Sequence, residues 1–271
     1  MNRKSDVGQE SGDSRLVEFV KTTSKDCGGR RRLVFYTGAG MSRESGLPTF
    51  RGDEGLWDSL DVEAVADRRS WYCGRRSDCN ERRQRMLDFF NPIRRLILEK
   101  APNEGHNIIA ALEEQCEVTV ITQNGDDYHE RAGSSNVIHL HGEALKNAST
   151  LHPYEAYEID RCNPDIHIGD KAPDGSQIRP YVIFFNEDIE QRLWKASVEA
   201  VREADVFVVV GSTMLVYPAA ALLEMLPPHC RLYVIDPAEV ALPRGCDMEH
   251  VHIECGATLG LLQLKAMLQL G

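Results

Sequence analysis

The chain has 271 residues, of which 42% are hydrophobic and 27% charged, an ordinary globular composition that excludes a disordered chain, a collagen-like repeat and a disulfide knot. Lys and Arg number 31 and Asp and Glu 42, a formal net charge of −11 that argues against nucleic acid as the principal ligand, since an acidic protein repels phosphate backbones. No apolar run approaches the ~20 residues of a membrane helix, and the polar start MNRKSDVGQESGDS lacks an apolar signal core. These features predict a cytoplasmic chain with no membrane partner. None of its eight cysteines forms a C-x-x-C pair, so mostly reduced thiols are expected.

The first dozen residues read as a frayed tail. Residues 14–23 place Leu16, Phe19 and Val20 on one face of a short helix, ended by Cys27, Gly28 and Gly29. The apolar run 33–36 then leads into Thr37, Gly38, Ala39 and Gly40, a buried strand feeding a glycine turn. Similar runs follow at 118–122, 137–140, 181–185, 206–210, 232–235 and 251–253. Most are apolar throughout, as in strands covered on both faces of a parallel sheet. Helical patterns at 105–114, 189–204, 218–226 and 257–269 separate several of them. The alternation predicts an α/β fold, an open parallel sheet covered by helices with right-handed crossovers. Two stretches break it, the charged segment 53–104 and the polar, proline-containing segment 143–178. They predict a smaller inserted lobe, leaving 1–52, 105–142 and 179–271 to the sheet domain.

Ligands of open α/β sheets bind beyond the carboxyl ends of the strands. Five predicted strands end in suitable groups: Gly38, Ala39 and Gly40; Gln123, Asn124 and Asp126; His141 and Gly142; Gly211, Ser212 and Thr213; and Asp236. Glycines let a backbone approach a phosphate, and a following helix adds amide donors. The G-A-G turn lacks the third glycine of the dinucleotide fingerprint, and the same residue types also make ordinary turns. Asp236 suits either a ribose diol or a helix cap.

Taken together, the segments GAGMSRESGLPTFRG (38–52), GLW (55–57), PNEGH (102–106), TQNGDDYHERAG (122–133), HLHGE (139–143), RPYVIFFNE (179–187) and GSTMLVYPAA (211–220) resemble the sirtuins, NAD-dependent protein lysine deacylases, in the family's order. The S-G-L-P-T-F-R-G and V-I-H-L-H-G-E phrases look most like the bacterial deacylase branch. The resemblance implies a Rossmann-type NAD domain, its parallel sheet with helices on both faces, a small inserted lobe, and transfer of an acyl group from lysine to the ADP-ribose part of NAD with release of nicotinamide. It assigns NAD contacts to Gly38, Ala39, Gly40, Phe50, Arg51, Gln123, Asn124, Asp126, Gly211, Ser212 and Thr213. It extends them to Asp236 and Ala257 on the adenine side. The acyl-lysine peptide is expected as an added strand between Phe185, Asn186 and Glu187 on one side and Val216 and Tyr217 on the other.

The resemblance makes His141 the catalytic residue. A ribose hydroxyl must lose a proton to attack the captured acyl carbon, and neutral imidazole is the natural base near pH 7. Asp126 is expected to steady the nicotinamide amide, and Asn124 a ribose hydroxyl or an ordered water. His139 and His141 also read as a metal pair, though no further ligand accompanies them. His106 and His129 read as structural.

Four departures from the family pattern bear on activity. The interval that usually carries two C-x-x-C pairs holds only Cys162, so no zinc is expected; Leu151, Tyr154, Tyr157 and Ile159 are expected to pack the lobe instead. Phe90 and Ile93 fall where the branch that removes acidic acyl groups has Tyr and Arg, which favours a neutral acyl chain; Pro92 is expected to disturb this helix. Gly125 replaces a bulky residue against nicotinamide, and Asn186 replaces the glycine of F-G-E. Arginines crowd 68–95, read as a solvated face or a dock for an acidic partner. The alternatives are ADP-ribosyl transfer or NAD hydrolysis, and a weakly catalytic NAD-binding module.

Overall fold

A computed structural model describes residues 29–50, 61–243, 246 and 248–270. The expected helix at 14–23, Arg51, and the 55–57 segment lie outside them.

Six strands form one parallel sheet: β1 (Arg32–Thr37), β2 (Glu117–Thr122), β3 (Val137–His139), β7 (Val206–Val210), β8 (Arg231–Ile235) and β9 (His250–Ile253). Their spatial order is β3-β2-β1-β7-β8-β9. Phe35 lies opposite Val120 on one side and Val208 on the other. The chain builds outward from β1 to β3, then returns to lay β7 on the other side of β1. The strand order reverses at that point, and a crevice opens there at the carboxyl ends.

Alternate residues of each strand serve opposite faces. Leu33, Phe35, Val118, Val120, Val208 and Val210 pack beneath Ile109 of α5 (Glu104–Ala111) and Leu261 and Leu264 of α8 (Ala257–Met267). Val34, Tyr36, Phe207, Val209, Leu232 and Val234 meet Val201 of α7 (Gln191–Arg202) and Leu222 and Leu223 on the other face. Both faces are therefore dry, which explains the unbroken apolar runs.

The remaining elements build the lobe. They are α2 (Val62–Ala66), α3 (Arg68–Trp71), α4 (Cys79–Glu99), and a three-stranded sheet of β5 (Tyr157–Glu158), β4 (Gly142–Ser149) and β6 (Ile178–Val182) in that order. Trp71, Met86, Leu87, Ile97, Leu145, Ile166 and Phe184 form its core. No helix among the described residues is long and apolar enough to cross a membrane.

Four expectations are corrected, and a fifth, that the thiols are mostly reduced, gains one exception. The run 181–185 does not join the parallel sheet; β6 pairs antiparallel with β4. Its residues 179–182 are all buried, so periodicity alone could not tell a lobe strand from a sheet strand. The helix expected at 218–226 is a 3-10 segment, Ala219–Met225, whose three residues per turn put Ala219 with Leu222 and Ala220 with Leu223 on shared faces, all four buried. Leu151 and Tyr154 do not fill the lobe; they are 66% and 38% exposed, and Tyr154 instead spans the surface to donate to the Asp188 carbonyl. The helix α4 runs through Pro92 without interruption. Finally, Cys73 and Cys79 form a disulfide that closes the loop before α4, while Cys116, Cys162, Cys230, Cys246 and Cys255 are free thiols. Six residues of separation and a tight turn bring these two cysteines together, a proximity that C-x-x-C spacing does not reveal.

Candidate active site

The site begins where β1 and β7 end. The Gly38 amide donates to the Val210 carbonyl at 3.0 Å, and the Gly40 amide to the Gly211 carbonyl at 2.9 Å. The two loops touch backbone to backbone. A Cβ on Gly38 would lie 2.6 Å from the Gly211 oxygen, and one on Gly211, at φ +59°, would lie 2.5 Å from the Gly40 backbone. Short α1 (Ala39–Arg43) follows, with Ser42 buried. A Gly211→Ala substitution should therefore cost roughly 1–3 kcal/mol in strain alone. Urea unfolding checks this, and NAD affinity should fall with it as the loops are forced apart.

The loop after β2 is bonded into the same crevice. The Asn124 carboxamide donates to the Gly38 carbonyl at 3.0 Å and to Ser42 Oγ at 3.2 Å. Ser42 Oγ donates in turn to Asp126 at 2.9 Å, and the other carboxyl oxygen of Asp126 accepts from the Tyr128 amide at 3.2 Å. Ser212 Oγ donates to the Gln123 side-chain oxygen at 2.8 Å, and the Gln123 amide to the Thr37 carbonyl at 2.9 Å. Three loops are thus linked by side chains at the switch point. Asn124 and Asp126 are both buried. Burial pushes the Asp126 carboxyl up to about 6, against the Ser42 and Tyr128 hydrogen bonds that favour its ionised form.

His141 stands between β3 and β4, where the chain leaves the parallel sheet for the lobe. Gly142 makes that passage at φ +78°, and a Cβ there would lie 2.4 Å from the Tyr181 oxygen. The Leu140 amide donates to the Thr122 carbonyl at 2.9 Å, and the Ile183 amide to the His141 carbonyl at 2.8 Å, so the backbone is pinned on both sides. The imidazole keeps some exposed surface, yet protein packed around it lowers its pKa to about 4 by desolvation, resisted by the Gln123 backbone. It is neutral near pH 7.

His139 has both ring nitrogens engaged by protein groups, which leaves neither for a metal shared with His141. His139 faces the Asn124 carbonyl at 2.9 Å with one nitrogen and Glu130 at 2.8 Å with the other. Both partners are acceptors, which favours the protonated ring. Burial opposes that charge, but Glu130 outweighs it and the pKa is raised. Among the described residues no group of three His, Cys, Asp or Glu could hold a metal ion. His106 closes a capping box with Asn103, and His129 meets Thr37 Oγ1 at 3.1 Å.

The other expected residues are placed as follows. Phe50 is half-buried, Ala257 opens α8 in a buried position, and Thr213 and Tyr217 are exposed, with Val216 between. Asp236 accepts from the Ala238 amide at 2.9 Å in a turn that no helix follows, so it is not the helix cap that the sequence also suggested. Phe185 uses its own amide and carbonyl to pair with Ala66 and Arg68. Gly125 lies against β4: a Cβ would sit 3.2 Å from the Ala144 nitrogen, so the missing side chain admits that strand. Ser42, Thr37 and His139 were not singled out for the roles they fill. Ser42 was visible only as part of the glycine-turn motif, and Thr37 and Thr122 as polar ends of two apolar strands.

The fold and site define a Rossmann-type α/β protein with a polar crevice at the strand switch point and one neutral imidazole at its lobe-side edge. The chain belongs to the Sir2 family, whose model matches residues 38–218. An NAD-dependent protein deacylase of Bacteroides thetaiotaomicron is 41% identical over 245 residues, covering 88% of this chain and 98% of that one. A Sir2 homologue in complex with ADP-ribose superposes with a TM-score of 0.78 at 28% identity, covering 96% and 97% of the two chains. A Sir2 homologue in complex with NAD gives 0.73 at 27% identity, covering 96% and 94%.

Proposed function

We propose that this protein is an NAD-dependent protein lysine deacylase that consumes NAD and acts on a neutral acyl group such as acetyl. The single observation that carries the proposal is the bonded union of the three strand-end loops, Asn124 to Gly38, Ser42 to Asp126 and Ser212 to Gln123, with His141 against Gln123. The sequence likeness to named deacylases supports it.

NAD fits these groups by donor type. The buried Asp126 carboxylate is an acceptor for the nicotinamide amide. Asn124 is held at a strand end where a ribose hydroxyl would lie, and the 38–40 and 211–213 loops supply backbone for the phosphates. Phe50, Arg51, Asp236 and Ala257 complete the proposed contacts. NAD supplies a ribose carbon that loses neutral nicotinamide and is captured by the acyl oxygen. Neutral His141 then takes the proton of a ribose hydroxyl, so that this oxygen attacks the acyl carbon. Water completes the transfer, leaving free lysine and acylated ADP-ribose.

The residues of α4 support the choice of a neutral acyl group. Phe90 and Ile93 pack against the lobe core and offer no donors. Arg94 is buried with both terminal nitrogens on the Asn147 side-chain oxygen at 2.9 Å, and Arg95 is paired with Asp165. No guanidinium of this pair is left for a succinyl carboxylate. The proposed division keeps 1–52, 105–142 and 179–271 as the NAD domain and 53–104 with 143–178 as the lobe, to which β6 lends its pairing. A cytoplasmic location and a zinc-free lobe belong to the same proposal.

Nicotinamide release with acetyl, succinyl and longer acyl-lysine peptides tests it. Acetyl-dependent release with acylated ADP-ribose is expected. Free ADP-ribose formed without an acyl peptide would favour NAD hydrolysis instead. The pH profile offers a second check. Ionised Asp126 is the stronger acceptor for the amide, and its raised pKa delays ionisation to about pH 6. The NAD kcat/KM should fall as pH drops through about 6, and Asp126→Asn should remove that limb while lowering the plateau.

A further inference from the structure

The turn 185–187 is anchored at each of its three residues, the middle one through the carboxamide of Asn186. Phe185 donates its amide to the Ala66 carbonyl and accepts from the Arg68 amide, both at 2.9 Å, forming a parallel bridge opposite Asp67. Glu187 is gripped by Arg179. Between them Asn186 adopts φ +65°. Glycine enters this left-handed region freely, and asparagine tolerates it best among residues with side chains. Asparagine here adds a carboxamide where the family pattern has none.

That carboxamide donates to the Asp67 carboxylate. Asp67 is 3% exposed and caps α3, accepting from the Arg69 amide at 2.8 Å and from the Arg69 guanidinium at 3.0 and 3.2 Å. Burial pushes its carboxyl up, but the bonds from Arg69 and Asn186 outweigh this and hold it below the usual range. It is a permanent anionic acceptor at neutral pH.

We propose that Asn186 and Asp67 form a positioning pair that locks the 185–187 turn to the start of α3, so that the edge receiving the acyl-lysine peptide is built before the peptide arrives. The proposal rests on the peptide-strand reading given above. Neither residue meets the reacting atoms. A peptide adding to a preordered edge does not bear the cost of ordering it, so the pair acts on peptide capture rather than on the bond-making steps.

Asn186→Gly is the clean probe, because glycine keeps the φ and loses only the bond. Its peptide KM should rise about tenfold, the scale of one hydrogen bond to a charged group, with a much smaller change in kcat. Amide hydrogen exchange at Arg68 and Phe185 should accelerate. Asn186→Asp alone sets two carboxylates together and should raise KM further. The exchange variant Asp67→Asn with Asn186→Asp reverses donor and acceptor while asparagine still caps α3. It should recover both KM and amide protection. An unchanged KM in Asn186→Gly, or a rise that the exchange variant fails to reverse, overturns the proposal in an active protein. Wild-type protein that turns over no acyl peptide overturns the peptide-strand reading, and this proposal with it.

Discussion

Replacing His141 with alanine should lower acyl-dependent nicotinamide turnover by about 10²–10⁴-fold, the usual worth of a positioned general base. The imidazole is a neutral nitrogen base at the joint between the parallel sheet and the lobe, its carbonyl bonded to the lobe-side Ile183 amide and the preceding Leu140 amide bonded to the sheet. Its pKa of about 4 means that the ring is unprotonated across the physiological range, so no activity is lost to imidazolium near pH 7. Because the side chain retains surface exposure, truncation should leave the fold nearly intact, and a thermal melt alongside the kinetics separates the two effects. Full acyl-dependent turnover in His141→Ala would overturn the mechanism while leaving the fold untouched.

The second large effect concerns stability. Glu187→Ala should destabilise the protein by about 3–5 kcal/mol, because it strands a buried guanidinium. Arg179 and Glu187 meet through two parallel bonds at 2.6 and 2.9 Å, with side chains 0% and 4% exposed. Arg179 also donates to the Tyr72 hydroxyl at 3.0 Å and the Val182 carbonyl at 2.7 Å, and its guanidinium lies 3.9 Å from the centre of the Phe184 ring. Glu187 accepts from the Phe184 amide at 2.8 Å. Removing one charge leaves the other without compensation, whereas replacing both with Met and Leu should cost far less. Urea midpoints for Glu187→Ala, Arg179→Met and the paired replacement decide the matter. A loss below about 1 kcal/mol in Glu187→Ala would mean that water reaches the stranded guanidinium.

The strand-end chemistry was legible because it is local. An apolar run followed by glycine, asparagine or serine is a strand meeting a loop, whatever the rest of the chain does. That rule marks Gly38, Asn124, Asp126, Ser212 and His141 from the sequence alone. The glycines at 38, 40 and 211 are explained by contacts between two loops far apart in sequence, although their residue type alone had flagged them. His139 could be read as ligand or structure from sequence; only Glu130 and the Asn124 carbonyl, one on each nitrogen, favour its protonated form.

What the amino-acid sequence determined by itself was the alternation of dry strands and helices, the family, and the residue types at the crevice, since each depends on neighbours within a few positions. Tertiary structure alone decided that 178–182 pairs in the lobe, that Cys73 closes on Cys79, and that Asn186 reaches Asp67 across 119 residues of chain. Burial looks the same in either sheet, and a hydrogen bond between remote side chains leaves no periodicity to read.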